Sequence, residues 1–473
     1  MKGSPKITRT GPRSHGKLLD IPLCRDILRL SGPLILSMTG YMLMQVVDGL
    51  FLARYSAEAL AAVGPAGMAV YGLGSTFTGA AGYTSTLTAQ YFGAGLPRRI
   101  GPAIWQGIWL ALASGMLMAC LAVPGGWLFA WAGHAPQVQR YEAQYFGILC
   151  AGMPLALLGT ALSGFFTGRG ETKTVMYIQV SGLLLNAVLD YVFIFGRAGM
   201  PALGVAGAAW ATVLSQGVIA ALFTALFLRG RYRSRYATWD GRGLDRKMMA
   251  RLARFGLPSG FRLAIELLAW TAFLMFVGRI GTTELAATTI AWRINGIAFF
   301  PVVGLSEGIR TLVGQAQGRQ RPAESVHITW QGLLVSEIWT FLPVLAFLVF
   351  PKELYGWFLG NAAGTEPIAA RGVVLLRFVA AYCLLDTANM VVQGSLLAAG
   401  DTRWTFWVSL GLHAAFFAGL LVADRAGWGL YPEWALATVF VMTTALVWLA
   451  RFRTGVWRQI RVIEHATQGA AAG

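Results

Sequence analysis

The chain has 473 residues, of which 56% are hydrophobic and only 12% charged. A soluble domain carries about 25% charged residues, so too little charge is present to cover a water-facing surface. That excludes an ordinary soluble enzyme, a disordered chain and a disulfide scaffold. The net charge of +17 would suggest nucleic acid in a soluble protein. In a chain this apolar, the collection of Lys and Arg in cytoplasmic loops accounts for it, and no nucleic-acid partner is expected.

An apolar run of about 20 residues crosses the ~30 Å hydrocarbon core as a helix. Twelve such runs follow one another, at roughly 30–53, 60–91, 101–132, 139–167, 174–196, 203–228, 253–279, 286–316, 327–350, 370–398, 404–424 and 432–451. They are continuous rather than alternating, which excludes a barrel and predicts an all-α integral membrane protein embedded in the lipid bilayer. The first run is too long for a signal peptide and lacks a small-residue cleavage site. Several runs exceed the minimum, so tilt or extension beyond the bilayer is expected.

Basic residues set the orientation. Lys2, Lys6, Arg9, Arg13, Lys17, Arg25 and Arg29 precede the first run, and alternate loops add Arg98, Arg99, Arg169, Lys173, Arg319, Arg321 and Arg403. The same side holds the cluster from Arg229 to Arg254 and the closing set Arg451, Arg453, Arg458 and Arg461. The opposite loops hold only Arg54, Arg140, Arg197, Arg279, Lys352, Arg371 and Arg425. Both ends therefore face the cytoplasm, which requires an even number of spans. The expected organisation is a tail over 1–29, a first half over 30–228, a solvated basic linker over 229–252, a second half over 253–451 and a tail over 452–473.

The two halves repeat one another. At an offset of about 225, Pro33 matches Pro258, Leu60-Ala61-Ala62 matches Leu285-Ala286-Ala287, and Trp105-Gln106-Gly107 matches Trp330-Gln331-Gly332. At the same offset Gln90-Tyr91-Phe92-Gly93 matches Gln315-Ala316-Gln317-Gly318; at 230, Gly170-Glu171-Thr172-Lys173 matches Gly400-Asp401-Thr402-Arg403. Six spans plus six, both starting on one side, are parallel repeats about an axis along the membrane normal, a layout of secondary transporters.

A charge at the bilayer centre costs about 2.5–3.5 kcal/mol on insertion scales, so each one needs a reason. Asp48 lies in the first run and Asp190 in the fifth, with Asn186 one helical turn before it. If the first and fifth runs pack together, the three side chains meet. Carboxylates gathered in apolar surroundings repel one another, and a shared proton or a bound Na⁺ relieves the repulsion. Asp48, Asn186, Asp190 and Thr212 supply hard oxygen donors for such an ion. In the second half Glu266 and Asp386 lie in the seventh and tenth runs. Arg262, four residues before Glu266, makes a structural ion pair the lesser alternative there, and Arg293, Arg310 and Arg377 are further candidate partners. Glu307 and Glu337 rank lower, since Glu307 has Arg310 one turn away, and His413 reads as a hydrogen-bonded core residue. The four cysteines read as buried free thiols, and there is no HExxH, GxSxG or Walker A motif. Neither an enzyme nor an ATP-driven pump is expected.

With these residues the chain resembles the multidrug and toxic compound extrusion (MATE) family, in its NorM-like branch, over nearly all of its length after residue 20. The resemblance is carried by Asp48 with Leu60-Ala61-Ala62-Val63, by Gln90-x-x-Gly93-Ala94-Gly95, and by Asn186-x-x-x-Asp190 with Gly204-Val-Ala-Gly207 and Thr212. Glu284-Leu-Ala-Ala, Gln315-x-x-Gly318 and Gln393-Gly…Gly400-Asp-Thr-Arg403 continue it. It implies twelve helices in two six-helix lobes around a V-shaped cleft, in the bacterial inner membrane, with no cofactor. It implies export of organic, often cationic amphipathic compounds in exchange for Na⁺ or H⁺ by a protein expected to be monomeric. By position it implies an N-lobe cation site at Asp48, Asn186, Asp190 and Thr212, and C-lobe acids at Glu266 and Asp386. The family's usual Asp stands here as Glu171. Arg262, Arg293 and Arg310 keep open a flippase of lipid-linked precursors, and the sequence does not separate multidrug export from a dedicated natural-product exporter.

Overall fold

A computed structural model describes residues 19–123, 125–130, 134–360 and 365–464. The basic positions from Lys2 to Lys17 lie outside the described residues.

The first helix, α1, spans Ile21–Tyr55, starting where Asp20 accepts from the Leu23 N–H at 3.1 Å and Pro22 occupies the first turn. Only Ser56 separates it from α2, Ala57–Gly82; its backbone is extended and its hydroxyl caps the Ala59 N–H at 3.0 Å. The second apolar run then breaks at Tyr83 and resumes as α3, Thr84–Gly93. The Thr84 hydroxyl explains the break: it donates to the carbonyls of Ala81 (2.8 Å) and Ala161 (2.9 Å), competing with the helical ladder. The first half continues with α4, Ile100–Cys120, the short α5, Gly125–Ala130, then α6, Pro136–Gly168, α7, Thr172–Phe195, and α8, Val205–Phe227. Gly196, with φ +66, ends α7 in the left-handed conformation that suits glycine.

The linker is shorter than the sequence suggests. A helix, α9, occupies Gly230–Tyr236, and α10 already begins at Arg246 and runs to Ile280. The second half then has α11, Thr282–Gly318, α12, Pro322–Val349, the short α13, Pro351–Leu359, α14, Glu366–Ala399, α15, Thr402–Arg425, and α16, Leu430–Thr454. With α2 and α3 taken together, twelve segments among the described residues are long and apolar enough to cross a membrane. The chain is a multi-pass membrane protein.

Each half packs around its own core. In the first, α6 lies against α2, α4 and α8; in the second, α14 lies against α11, α12 and α16. The second-half core is aromatic, with Phe273, Tyr355, Phe416 and Trp434 all buried. The first-half core gathers Phe165, Phe166, Phe223 and Phe227, and extends to Tyr232 and Tyr236 of α9.

The halves meet along two seams, α1 on α11 and α2 on α10, with α3 also on α11. The repeat offset is visible in the contacts. A Cβ on Gly79 would lie 2.6 Å from the Cα of Gly260, and a Cβ on Gly304 would lie 2.7 Å from the Cα of Ile35. Adding 225 to 35 and 79 gives 260 and 304, so the two seams are pseudo-equivalent. Side-chain hydrogen bonds across the halves gather on the side of the described chain ends, the tail side. There Tyr83 Oη donates to the Leu397 carbonyl at 3.2 Å, and Arg310 Nε to Thr86 Oγ1 at 3.2 Å. Glu464 joins both halves: it accepts from Tyr91 Oη at 3.1 Å and pairs with Arg251 of α10 and, at 3.5 Å, with Arg99.

Candidate functional site

In the first half, α1 packs against α7 and brings Asp48 to Asn186 and Asp190. Asn186 Nδ2 donates to Asp190 Oδ2 at 3.0 Å, as their one-turn spacing predicts. Asp190 is 1% exposed and Asn186 7%, while Asp48 is half-buried. Asp48 and Asp190 are close enough that each carboxyl group feels the other. Each keeps a buried Oδ1 with no partner among the described residues. Buried acceptors left unpaired are costly. Together the two carboxylates and the one amide donor make an acceptor-rich group with no cationic partner among the described residues. Such a group fits a shared proton or a small monovalent cation. Among the described residues no cluster of three or more His, Cys, Asp or Glu is placed to hold a metal ion.

Thr212 stands apart from this group. Its hydroxyl donates to the Ala208 carbonyl of its own helix at 3.1 Å, and no hydrogen bond joins it to either carboxylate among the described residues. Tyr145 of α6, which the sequence reading passed over, is near enough to feel the charge of Asp48 and Asp190, as Tyr41 feels that of Asp48. A tyrosine in an apolar run looks like packing, so nothing in the sequence distinguished it.

The second half differs. Arg262, itself buried, donates through Nη1 to Glu266 Oε2 at 2.6 Å, so Glu266 is compensated on its own helix. Arg310 pairs with Glu307 at 3.2 Å. Arg293 is exposed and makes no ion pair among the described residues. Asp386 has no arginine partner among the described residues: it accepts from Asn389 Nδ2 at 3.1 Å and lines a small recess with Asn295, Phe299, Cys383 and Met390. It feels the charge of Glu266. His413, 6% exposed, faces the Arg262–Glu266 pair and is held by the Ser409 carbonyl, 2.7 Å from its Nδ1. The reading of His413 as a bonded core residue agrees with that geometry.

Twelve spans in two pseudo-equivalent halves, with carboxylates inside the spans and charge compensation differing between the halves, define a secondary-transporter architecture. The chain belongs to the MATE family: the model described as MatE matches residues 33–192 and 258–416. It is therefore a transporter and not an enzyme. It is 31% identical over 460 residues to a probable multidrug resistance protein NorM of Pseudomonas aeruginosa, covering 95% of this chain and 92% of that relative. A probable NorM of Pseudomonas putida is 32% identical over 428 residues, covering 87% and 90%. Among solved structures, the fold resembles the outward-facing conformation of a multidrug resistance MATE family transporter. That likeness has a TM-score of 0.83 at 22% identity, covering 93% of this chain and 97% of that one. A MOP superfamily transporter from Pyrococcus furiosus, described as having a binding pocket of reverse polarity, matches equally well, with a TM-score of 0.83 at 21% identity over 93% and 97%.

Proposed function

We propose that this protein exports organic, cationic amphipathic compounds across the bacterial inner membrane by antiport with Na⁺ or H⁺, through alternating access of its two lobes. Both tails face the cytoplasm, and a monomer suffices. The observation that carries the reading is the Asp48–Asp190 pair, with its two buried, unpaired oxygens. A bound ion or a shared proton relieves the repulsion between the two carboxylates; vacated, the pair repels itself. Asn186 fixes the Asp190 carboxylate, and Tyr145 bounds the site. A membrane potential of 100 mV is worth about 2.3 kcal/mol per charge moved, enough for roughly fiftyfold accumulation without ATP.

Two further observations support a cationic cargo. Arg262 and Arg310 are both ion-paired to glutamates, so neither leaves the interior of the C-lobe basic. Asp386, free of arginine, is then the C-lobe acid that would meet a bound cation. The relatives named as multidrug resistance proteins favour broad substrate range over a dedicated exporter.

The test is efflux of a fluorescent organic cation from proteoliposomes under an imposed Na⁺ gradient or an imposed pH gradient. Transport under one gradient, lost in Asp48→Asn, is the expected result and names the ion. No transport of the cation under either gradient would overturn the reading in favour of a lipid flippase or an exporter of some other solute.

A further inference from the structure

A Gln-x-x-Gly motif occupies equivalent places in the two halves, as Gln90 to Gly93 and as Gln315 to Gly318, and neither the ion site nor the cargo uses it. Both copies sit where the halves meet on the tail side. Gln90 Nε2 donates to the Ala398 carbonyl of the other half at 2.8 Å, and Gln315 Nε2 donates to the Gly168 carbonyl of the first half at 2.9 Å. The two glutamines are related by the repeat offset of 225, and the two carbonyls by 230. Each glutamine thus does to the opposite lobe what its counterpart does in return.

The acceptors are suited to this. α6 and α14 end at Gly168 and Ala399, and carbonyls in a last helical turn have no partner in their own helix. In α6 the returning chain serves the carbonyls of Thr167 and Phe166, through the N–H groups of Gly170 and Glu171; in α14 it serves Leu397 and Leu396, through Gly400 and Asp401. Gly168 and Ala398 are passed over, and the glutamines of the opposite lobe fill those places. The glycines allow the approach. A Cβ on Gly93 would lie 2.0 Å from the Gln315 carbonyl oxygen, and a Cβ on Gly318 would lie 2.0 Å from the Gln90 carbonyl oxygen. Gln90 is 3% exposed and Gln315 fully buried.

We propose that these two motifs form one reciprocal latch, the gate that holds the tail side shut and must release for the transporter to open there. The inference rests on the alternating-access reading above. A polar latch suits a gate: on opening, each amide and carbonyl exchanges its partner for water, so release and closure are nearly balanced. Gln90, Gln315, Gly93 and Gly318 are positioning residues; none touches the ion site.

The test reads conformation directly. In a cysteine-free background, spin labels at Arg98 and Gln320 report the tail side, and labels at Arg197 and Arg425 report the opposite side; all four residues are exposed. Distances are measured by double electron–electron resonance in lipid nanodiscs without substrate. Gln90→Ala and Gln315→Ala should each raise the long-distance, tail-side-open population on the order of fivefold, to similar extents, while the opposite-side distance shortens. Gly93→Ala and Gly318→Ala should do so more strongly, and Gly72→Ala, which meets nothing within 4 Å, should change neither distance. A merely loosened fold would broaden both distances together, and that result would overturn the latch. Unchanged distances in both glutamine variants would overturn it too, and they decide the matter even if the glycine variants fail to fold. The readout uses no drug and no coupling ion, so its failure leaves the ion site standing, and failure of Asp48→Asn leaves the latch standing.

Discussion

Asp190 is held by one donor and faced by one like-charged group, so its neighbours have separable effects. Asn186→Leu removes the amide that donates to Asp190, and one lost hydrogen bond to a charged group is worth about 1.5–3 kcal/mol. The concentration of driving ion giving half-maximal efflux should rise at least tenfold, read in proteoliposomes, while the maximal rate changes less. Asp48→Asn should abolish coupled efflux and leave expression and melting temperature near those of the unaltered protein. Arg262 and Glu266 behave in the opposite way. Arg262→Met leaves Glu266 uncompensated and should lower the melting temperature more than the double change Arg262→Met with Glu266→Gln, since breaking a buried pair is worse than replacing it. The acids of the site were legible in the sequence because charge inside an apolar run is conspicuous, and because a four-residue spacing fixes one helix face. Thr212 bonds within its own helix, as a helical threonine satisfies its hydroxyl on the carbonyl four residues back.

At the scale of elements, hydropathy located the spans but not their ends. α1 begins at Ile21, nine residues before its apolar run, carrying Arg25, Asp26 and Arg29 as helix. The linker hid more. Its alternation of arginine and tyrosine reads as a solvated loop, yet Tyr232 and Tyr236 point inward and, with Phe165, enclose the guanidinium of Arg169, whose central carbon lies 4.6, 4.6 and 3.7 Å from the three ring centres. Glu171 accepts from both Arg169 Nη2 and Tyr232 Oη at 3.0 Å, a reach for which the longer glutamate side chain is suited. Such stacking of a desolvated cation is worth about 2 kcal/mol. Arg169→Ala should therefore release α9 and speed tryptic cleavage between Arg229 and Arg235 by roughly tenfold or more, read by gel on inside-out vesicles. Arg169→Lys should restore little, because an ammonium cannot stack and fork as a guanidinium does.

Across the whole molecule, the duplication seen in the sequence becomes a physical constraint. The twelve runs and the constant offset made the two-lobed fold legible; which end of the seam is closed was not, because that depends on contacts between residues some 150–310 positions apart, as in Gln315 to Gly168 and Gln90 to Ala398. Because Gly79 and Gly304 occupy equivalent places, Gly79→Val and Gly304→Val should lower the melting temperature of the detergent-solubilised protein by similar amounts. Clearly unequal losses would show that the seams have diverged in energy although not in shape.

Glu464 has a consequence for biosynthesis. It ties Tyr91 and Arg99 of the first half to Arg251 of the second, yet it leaves the ribosome only after all twelve helices have been made. During synthesis the first half waits in the bilayer with its small-residue seam uncovered and its tail-side polar groups facing water. The Glu464 fastening is therefore the last of the tail-side ties between the lobes to form, added after Gln90, Gly168, Gln315 and Ala398 are already in the chain.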